Sequence, residues 1–208
     1  MSSWWNSSRA VYGTELRAGA LCLVDHGWPV VPGTWWRDGG WSGRCAERDS
    51  VPALAGGVAE ASTDPAQVVR WWSREPFAVL LATGDVLDVL EMPAWMGRRV
   101  ARTLRATGVP APLAATPAGS WWFPVSAGEA TLAGRLAAEG VVLHGAGSWV
   151  VAPPSECADG LVHWRVSPSA CGWRLPSAWL VHSAAAEAAE VESAGPQRPS
   201  TVASGARY

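Results

Sequence analysis

Residues 140–155 constrain the fold of this chain more than any other segment. They read GVVLHGAGSWVVAPPS, which is an apolar run, a glycine turn, a second apolar run and a pair of prolines. Short apolar runs separated by glycine indicate β-strands, and prolines end a strand because they donate no ladder hydrogen bond. The segment therefore predicts a β-hairpin that stops at Pro153.

The rest of the chain alternates helical and strand patterns. Asp64 followed by Pro65 predicts a capped helix start, and residues 94–106 predict an amphipathic helix between Pro93 and Gly108. Residues 33–57 show no clear period and are predicted to form a loop. Further helices are predicted at residues 9–26, 131–139 and from 176 onward, and strands at 28–32, 77–82, 86–90, 113–116, 121–125 and 162–166. This order predicts an α+β fold, with mixed or antiparallel sheets flanked by helices.

Length and composition predict the domain limits. A chain of 208 residues can bury one proper core, which we assign to residues 9–183. Residues 1–8 are polar and are expected to be a flexible N-terminus. Residues 184–208 are rich in Ala, Glu, Ser, Gly and Pro and are expected to be a disordered or frayed tail. No signal peptide or apolar run of roughly 18 residues is present, so a cytoplasmic location without a membrane partner is expected.

The charged residues exclude several chemistries. Net charge is −2, and all 16 basic residues are arginine. Without lysine, the chain has no P-loop and no Schiff-base nucleophile. Arginine in place of lysine throughout is typical of a GC-rich genome such as that of an actinobacterium. The four cysteines are far apart and lack zinc-finger spacing, so no zinc site is expected.

Two groups of residues are candidates for binding. Arg98, Arg102 and Arg105 share one side of the helix predicted at residues 94–106, where they would contact nucleic-acid phosphates or simply form its solvated face. The chain also contains 15 Trp. Three of them lie in the glycine-rich loop and are the candidate interaction surface: Trp35, Trp36 and Trp41.

Several short motifs occur in an order that resembles one known family. They are GWPV, TDPAQVVRWW, ATG, VLDV, TPAG and VVAPPS, spread over roughly residues 14–182. The pattern is similar to the bifunctional DNA primase-polymerases, in an actinobacterial and divergent form. The resemblance implies template-directed nucleotidyl transfer with Mg²⁺ or Mn²⁺. It also implies D-x-D on one strand, a third aspartate on the later hairpin and a histidine that contacts the nucleotide phosphate.

Most of these family positions are changed in this chain. Asp88 falls at the position of the first family aspartate. Leu90 stands at the position of the second, and Val142 at the position of the third. Ser120 stands at the position where the family has its histidine, and it is a candidate for nucleotide binding. Glu91 would join Asp88 on one face only through a β-bulge, because neighbouring side chains on a strand alternate.

His144 is two residues after Val142 and shares its face. The candidate metal ligands are therefore Asp88, Glu91 and His144, with Asp88 and Glu91 as the candidate catalytic carboxylates. His144 is also a candidate for nucleotide binding.

These substitutions predict that this chain is a relative of the family that has lost polymerase activity. We expect a non-catalytic module that binds nucleic acid or regulates replication, with single-stranded DNA or a nucleotide as ligand and a helicase or other replication partner in trans. Two alternatives stay open. One is an active Mg²⁺- or Mn²⁺-dependent primase-polymerase that uses Asp88 and Glu91, and the other is a Trp-rich protein-interaction module.

Overall fold

Helices and strands alternate along the chain in an α+β arrangement, as predicted. The computed structural model describes residues 3–37, 39–42, 50–128 and 131–193. In these ranges the α-helices are α1 (Ser3–Val24), α2 (Pro65–Trp72), α3 (Ala94–Ala106), α4 (Gly134–Ala138) and α5 (Ala178–Ser193). None of the helices in the described ranges is both long enough and apolar enough to cross a membrane.

The strands form two main sheets. They are β1 (Val30–Gly33), β2 (Trp35–Arg37), β3 (Gly40–Ser42), β4 (Ala78–Ala82), β5 (Leu87–Pro93), β6 (Leu113–Ala115), β7 (Ser120–Ser126), β8 (Val142–His144), β9 (Trp149–Val151), β10 (Glu156–Cys157), β11 (Gly160–Leu161) and β12 (His163–Val166). The larger sheet has the order β12-β6-β7-β5-β8, and the smaller has the order β1-β4-β9. All these pairs are antiparallel.

Strand alternation divides the core into two layers on either side of the larger sheet. Leu87, Val89 and Trp122 point to one side, where they pack with residues of α1, α2 and the smaller sheet. Leu90 and Phe123 point to the other side, where they pack with residues of α3 and α5. Each face of the larger sheet is therefore buried by a different set of elements.

Residues 140–155 do not form the predicted hairpin. β8 pairs with β5 of the larger sheet, whereas β9 pairs with β4 of the smaller one. The glycine turn between them is a crossover between sheets, and the connection from β4 to β5 is a second one. The two crossovers are joined by the Thr83 hydroxyl, which donates to the Gly145 carbonyl at 2.7 Å. This hydrogen bond and the tertiary pairing of each strand compete with local pairing between β8 and β9.

Local helix signals agree well with the structure. The helix predicted at residues 94–106 is α3. Asp64 caps α2, because its Oδ1 accepts a hydrogen bond from the backbone N–H of Ala66 at 2.9 Å. Both signals depend on neighbours in sequence, which is why sequence alone could locate them.

The two terminal helices extend beyond the predicted core domain. α1 begins at Ser3, within the segment expected to be flexible, and α5 continues to Ser193, within the expected tail. Ala184, Ala185 and Ala188 of α5 are buried. Small side chains let this helix pack closely against α3, so a composition that indicates disorder also suits a close helix contact. Residues 1, 2 and 194–208 lie outside the described ranges.

The predicted loop at residues 33–57 contains a short β-hairpin. β2 pairs with β3, and Trp36 lies opposite Trp41. Their rings meet edge to face, with centroids 5.4 Å apart. Strands of three residues are too short for a period to be seen in sequence, whereas a cross-strand aromatic pair stabilises them in the fold.

Candidate functional site

A hydrogen-bonded network centred on Glu91 lies on one face of the larger sheet. The Nε2 atom of His144 lies 2.8 Å from Glu91 Oε2. The hydroxyl of Ser120 donates to Glu91 Oε1. Both carboxylate oxygens of Glu91 therefore have a protein partner.

The network continues into a turn at each end. Ser120 Oγ is 2.8 Å from Thr116 Oγ1, which lies in the TPAG turn between β6 and β7. His144 Nδ1 is 3.2 Å from Ser148 Oγ, in the crossover between β8 and β9. The side chains thus form a continuous row in the order Thr116, Ser120, Glu91, His144, Ser148.

Sheet register explains why these residues meet. Glu91 lies directly opposite Trp122 on β7 and Val142 on β8. Residues directly opposite one another point to the same face, as do residues two apart on a strand. His144 and Ser120 therefore share the face of Glu91, with Ser120 near the Pro93 end of β5 and His144 opposite Val89, nearer its start.

Hydrogen bonding sets the charge state of Glu91. Burial by itself raises the pKa of this carboxyl, but the hydrogen bonds from His144 and Ser120 outweigh it and hold the pKa below the ordinary glutamate value. The side chains of His144 and Glu91 are 19% and 27% exposed. Glu91 is thus an ionised, mostly buried carboxylate at neutral pH.

The network opens on a cavity of about 550 Å³. Glu91, Ser120, His144 and Ser148 line one part of it. Its walls carry apolar side chains that include Trp41, Trp122, Trp149, Val150, Val151 and Val162. A mostly apolar cavity with a few convergent polar groups is the usual form of a small-molecule site.

Asp88 does not join this network. β5 pairs with β7 in one unbroken register from Leu87 to Pro93, so no bulge brings Asp88 and Glu91 to the same face. Asp88 is buried on the opposite face, where its Oδ2 accepts a hydrogen bond from the Gly128 backbone N–H at 2.9 Å. Of the three candidate metal ligands, the structure brings together Glu91 and His144 only.

The residues around Glu91 do not suit Mg²⁺ or Mn²⁺. These ions prefer several carboxylate or carbonyl oxygens. Here the position opposite Glu91 is the hydrocarbon side chain of Val142, and both Glu91 oxygens are already engaged. Within the described ranges, no group of three His, Cys, Asp or Glu side chains is placed to hold a metal ion.

The three arginines Arg98, Arg102 and Arg105, which we call the α3 arginines, lie away from the cavity. α3 packs against the face of the larger sheet that carries Leu90, whereas the cavity is on the face of Glu91. All three arginine side chains are exposed. The neighbouring Arg99 instead forms an ion pair with Glu192 of α5 at 2.9 Å. The α3 arginines thus form a separate basic surface.

The tryptophans of the β2–β3 hairpin are each half-buried. Trp35 packs edge to face on Phe77, with ring centroids 5.2 Å apart, and Trp36 packs on Trp41. Trp41 also lines the cavity beside Ser50 and Val51. The structure therefore gives these residues intramolecular contacts, and their role as an interaction surface stays a prediction.

Sequence reasoning missed Thr116 and Ser148. Thr116 had a local signal, because it belongs to the TPAG motif just before Ser120. Ser148 had another, because it follows His144 by four residues across a glycine turn. The link from His144 to Glu91 had no such signal, since 53 residues separate them and only sheet pairing brings them together.

A family model described as bifunctional DNA primase/polymerase, N-terminal, matches residues 20–190. The match covers most of the chain, and the chain belongs to this family, which confirms the resemblance seen in the motifs. No curated protein matches the sequence. Members of the family generally depend on a metal ion, which makes the ligand set around Glu91 unusual.

Proposed function

We propose that this chain is a primase-polymerase domain that binds nucleic acid without polymerising nucleotides. In this proposal it acts in the cytoplasm as a regulatory or accessory module, beside a helicase or another replication protein that acts in trans. Its ligand is single-stranded DNA or a nucleotide.

One observation supports the inferred loss of polymerase activity. Two-metal catalysis needs clustered carboxylates that are free to bind the ions. Glu91 is instead bound on both oxygens, by Ser120 and His144, and faces Val142. Asp88 is on the other side of the sheet and is occupied by the Gly128 amide. The chain thus keeps the framework of the family with a different set of contacts in the site.

The α3 arginines support the binding part of the proposal. They are exposed, and no ion pair engages them within the described residues. Positions i, i+4 and i+7 span roughly 10 Å along the helix axis, which suits contacts to consecutive phosphates. Ser120 and His144 are both engaged with Glu91, so this proposal assigns the phosphate contacts to α3.

A primer-extension assay tests the proposal. The full chain is incubated with primed and unprimed single-stranded DNA and nucleotides, in Mg²⁺ or Mn²⁺, beside an active family member. Binding of a fluorescent oligonucleotide is followed in parallel by anisotropy. We expect binding without extension products.

Two matched variants make the assay decisive. Extension by the natural chain that is lost in Glu91→Gln or Asp88→Ala would mean an active polymerase, and the proposal would be wrong. If neither extension products nor oligonucleotide binding is observed, the proposal that the chain binds nucleic acid is wrong. The Trp-rich interaction module would then be the better account, with Trp35, Trp36 and Trp41 as the residues to mutate next.

A further inference from the structure

We infer that the cavity carries a second activity: Ser148, His144 and Glu91 form a relay that cleaves carboxylic esters by acyl transfer to Ser148. Ser148 Oγ is 3.2 Å from His144 Nδ1, and His144 Nε2 is 2.8 Å from Glu91 Oε2. All three residues line the same cavity. A nucleophile, a base and a group that orients the base, in hydrogen-bond contact, are the defining parts of such a site. The inference is independent of the proposed function, because none of the three lies on α3.

The hydrogen bonds fix the proton positions that the reaction needs. An ionised Glu91 only accepts hydrogen bonds, so the facing Nε2 of His144 carries the proton. In the tautomer with the proton on Nε2, the lone pair of Nδ1 faces the Ser148 hydroxyl. Compared with the usual serine-hydrolase arrangement the two ring nitrogens are exchanged, but the order of hydroxyl, imidazole and carboxylate is the same.

The surrounding structure holds both ends of the relay in place. Ser120 and Thr116 fix the Glu91 carboxylate. At the other end, the Ser148 N–H donates to the Gly145 carbonyl at 3.1 Å, and the Ser148 carbonyl accepts from the Thr83 N–H at 3.0 Å. A side chain at Gly147 would meet no heavy atom within 4 Å, so the turn beside Ser148 is open.

The reaction balances with an ester and water alone. Ser148 Oγ bonds to the acyl carbon and passes its proton to His144 Nδ1. The bond from that carbon to the leaving oxygen breaks, and the leaving group takes the proton from His144 and departs as an alcohol. Water then attacks the acyl-serine and gives a proton to His144, which returns it to Ser148 as the acid leaves. Ser148 and His144 are the catalytic residues, and Glu91 is a positioning residue that acts through His144.

The cavity indicates the class of ester. Its volume of about 550 Å³ is in the range of sites for small organic molecules. Trp41, Trp122 and Trp149 lie in its walls with Val150 and Val151. We therefore assign esters with an apolar or aromatic acyl or alcohol group, and p-nitrophenyl butyrate is a suitable probe.

The test combines covalent labelling with hydrolysis by the full chain. The protein is treated with a fluorophosphonate probe and the modified residue is mapped by mass spectrometry. Hydrolysis of p-nitrophenyl butyrate is measured for the natural chain and for Ser148→Ala, His144→Gln and Glu91→Gln. The exposed serine variant Ser169→Ala is the matched control, and circular dichroism checks that each variant is folded.

We expect the label on Ser148 and no loss of activity in Ser169→Ala. Ser148→Ala and His144→Gln should lower kcat at least ~100-fold, and Glu91→Gln should lower kcat by about 10²–10⁴-fold with KM unchanged. The inference is wrong if a folded natural chain is not labelled, if the label falls on another residue, or if hydrolysis persists in Ser148→Ala. These residues lie across the sheet from α3, so their substitution should leave DNA binding unchanged, and failure here leaves the proposed function standing.

Discussion

At the scale of single residues, the VVAPPS motif is an anchor for the fold. The Ser155 side chain is fully buried, and its hydroxyl oxygen accepts a hydrogen bond from the Val79 backbone N–H of β4 at 2.8 Å. The carbonyl of Ser155 accepts another from Val162 at 2.9 Å. The motif therefore has a structural role that does not depend on polymerase chemistry, which explains how it can be present although Leu90 and Val142 stand at two of the three positions where the family resemblance implies aspartate.

Removing the Ser155 hydroxyl should destabilise the protein. In Ser155→Ala the buried Val79 N–H loses its partner, and a buried unpaired donor costs about 1–3 kcal/mol. Chemical denaturation at equilibrium measures this change, with the exposed variant Thr63→Ala as the control. Equal unfolding free energies for the two variants would show that Ser155 is not an anchor.

The Glu91 carboxylate should make stability depend on pH in the acid range. Its pKa is lower in the folded chain than the value of about 4.3 expected when unfolded. The unfolded chain therefore binds the proton first, and the stabilisation is complete above about pH 4.3 and is lost as the pH falls through the folded pKa. Glu91→Gln should flatten this acid loss in denaturation curves recorded between neutral pH and pH 3. The exposed variant Glu75→Gln should keep it, and parallel profiles for both variants would contradict the prediction.

At the scale of elements, the two crossovers hold the sheets together. Gly84 has φ of +112°, and a Cβ added there would lie 2.3 Å from the Ala146 Cα. The ATG motif thus supplies a threonine that bonds to the second crossover and a glycine that allows it to come close. β5 begins and β8 ends beside this contact, and His144 of the Glu91 network is the last residue of β8.

Gly84→Ala should be among the most destabilising glycine substitutions. Left-handed backbone strain costs about 1–2 kcal/mol, and forced overpacking adds about 1–3 kcal/mol. Gly108→Ala is the matched control, because Gly108 has φ of +72° but a Cβ there would meet no heavy atom within 4 Å. The difference between their unfolding free energies measures the crossover contact. A cost no larger than that of Gly108→Ala would mean that the contact is not important for stability.

Sequence predicted the elements better than their partners. The limits of α3 follow from its local periodicity and from the flanking Pro93 and Gly108, and they were correct. The pairing of β8 with β5, and not with β9, depends on which buried surfaces meet, and no local signal encodes it. The extension of α5 to Ser193 was missed for the same reason, since alanines become core residues only when a neighbouring helix covers them.

At the scale of the whole molecule, the sheet separates two surfaces of different chemistry. The Glu91 network and its cavity are on one side, and α3 with its arginines is on the other. Motif order was enough to predict the family, but the grouping of Glu91, Ser120 and His144 needed the tertiary register. The separation also means that the two proposed activities can be removed independently.

The α3 arginines should govern the salt dependence of nucleic-acid binding. With a net charge of −2, the chain has no overall attraction to DNA, so a local patch must supply it. Each phosphate contact to a single strand contributes about 0.7 to the slope of log affinity against log salt. Replacing Arg98, Arg102 and Arg105 together by Gln should therefore lower that slope by about 2. Anisotropy titrations of a fluorescent oligonucleotide at several salt concentrations measure it.

A matched triple variant separates local contacts from total charge. Replacing the exposed Arg70, Arg74 and Arg174 by Gln removes the same charge from other parts of the surface. If α3 is the binding surface, this control should keep most of the slope, since screened charges beyond about 10 Å contribute little at 0.1 M salt. An equal loss of slope in both variants would instead mean diffuse attraction without a defined site. Ester hydrolysis should be unchanged in the α3 variant, because the cavity lies across the sheet from α3.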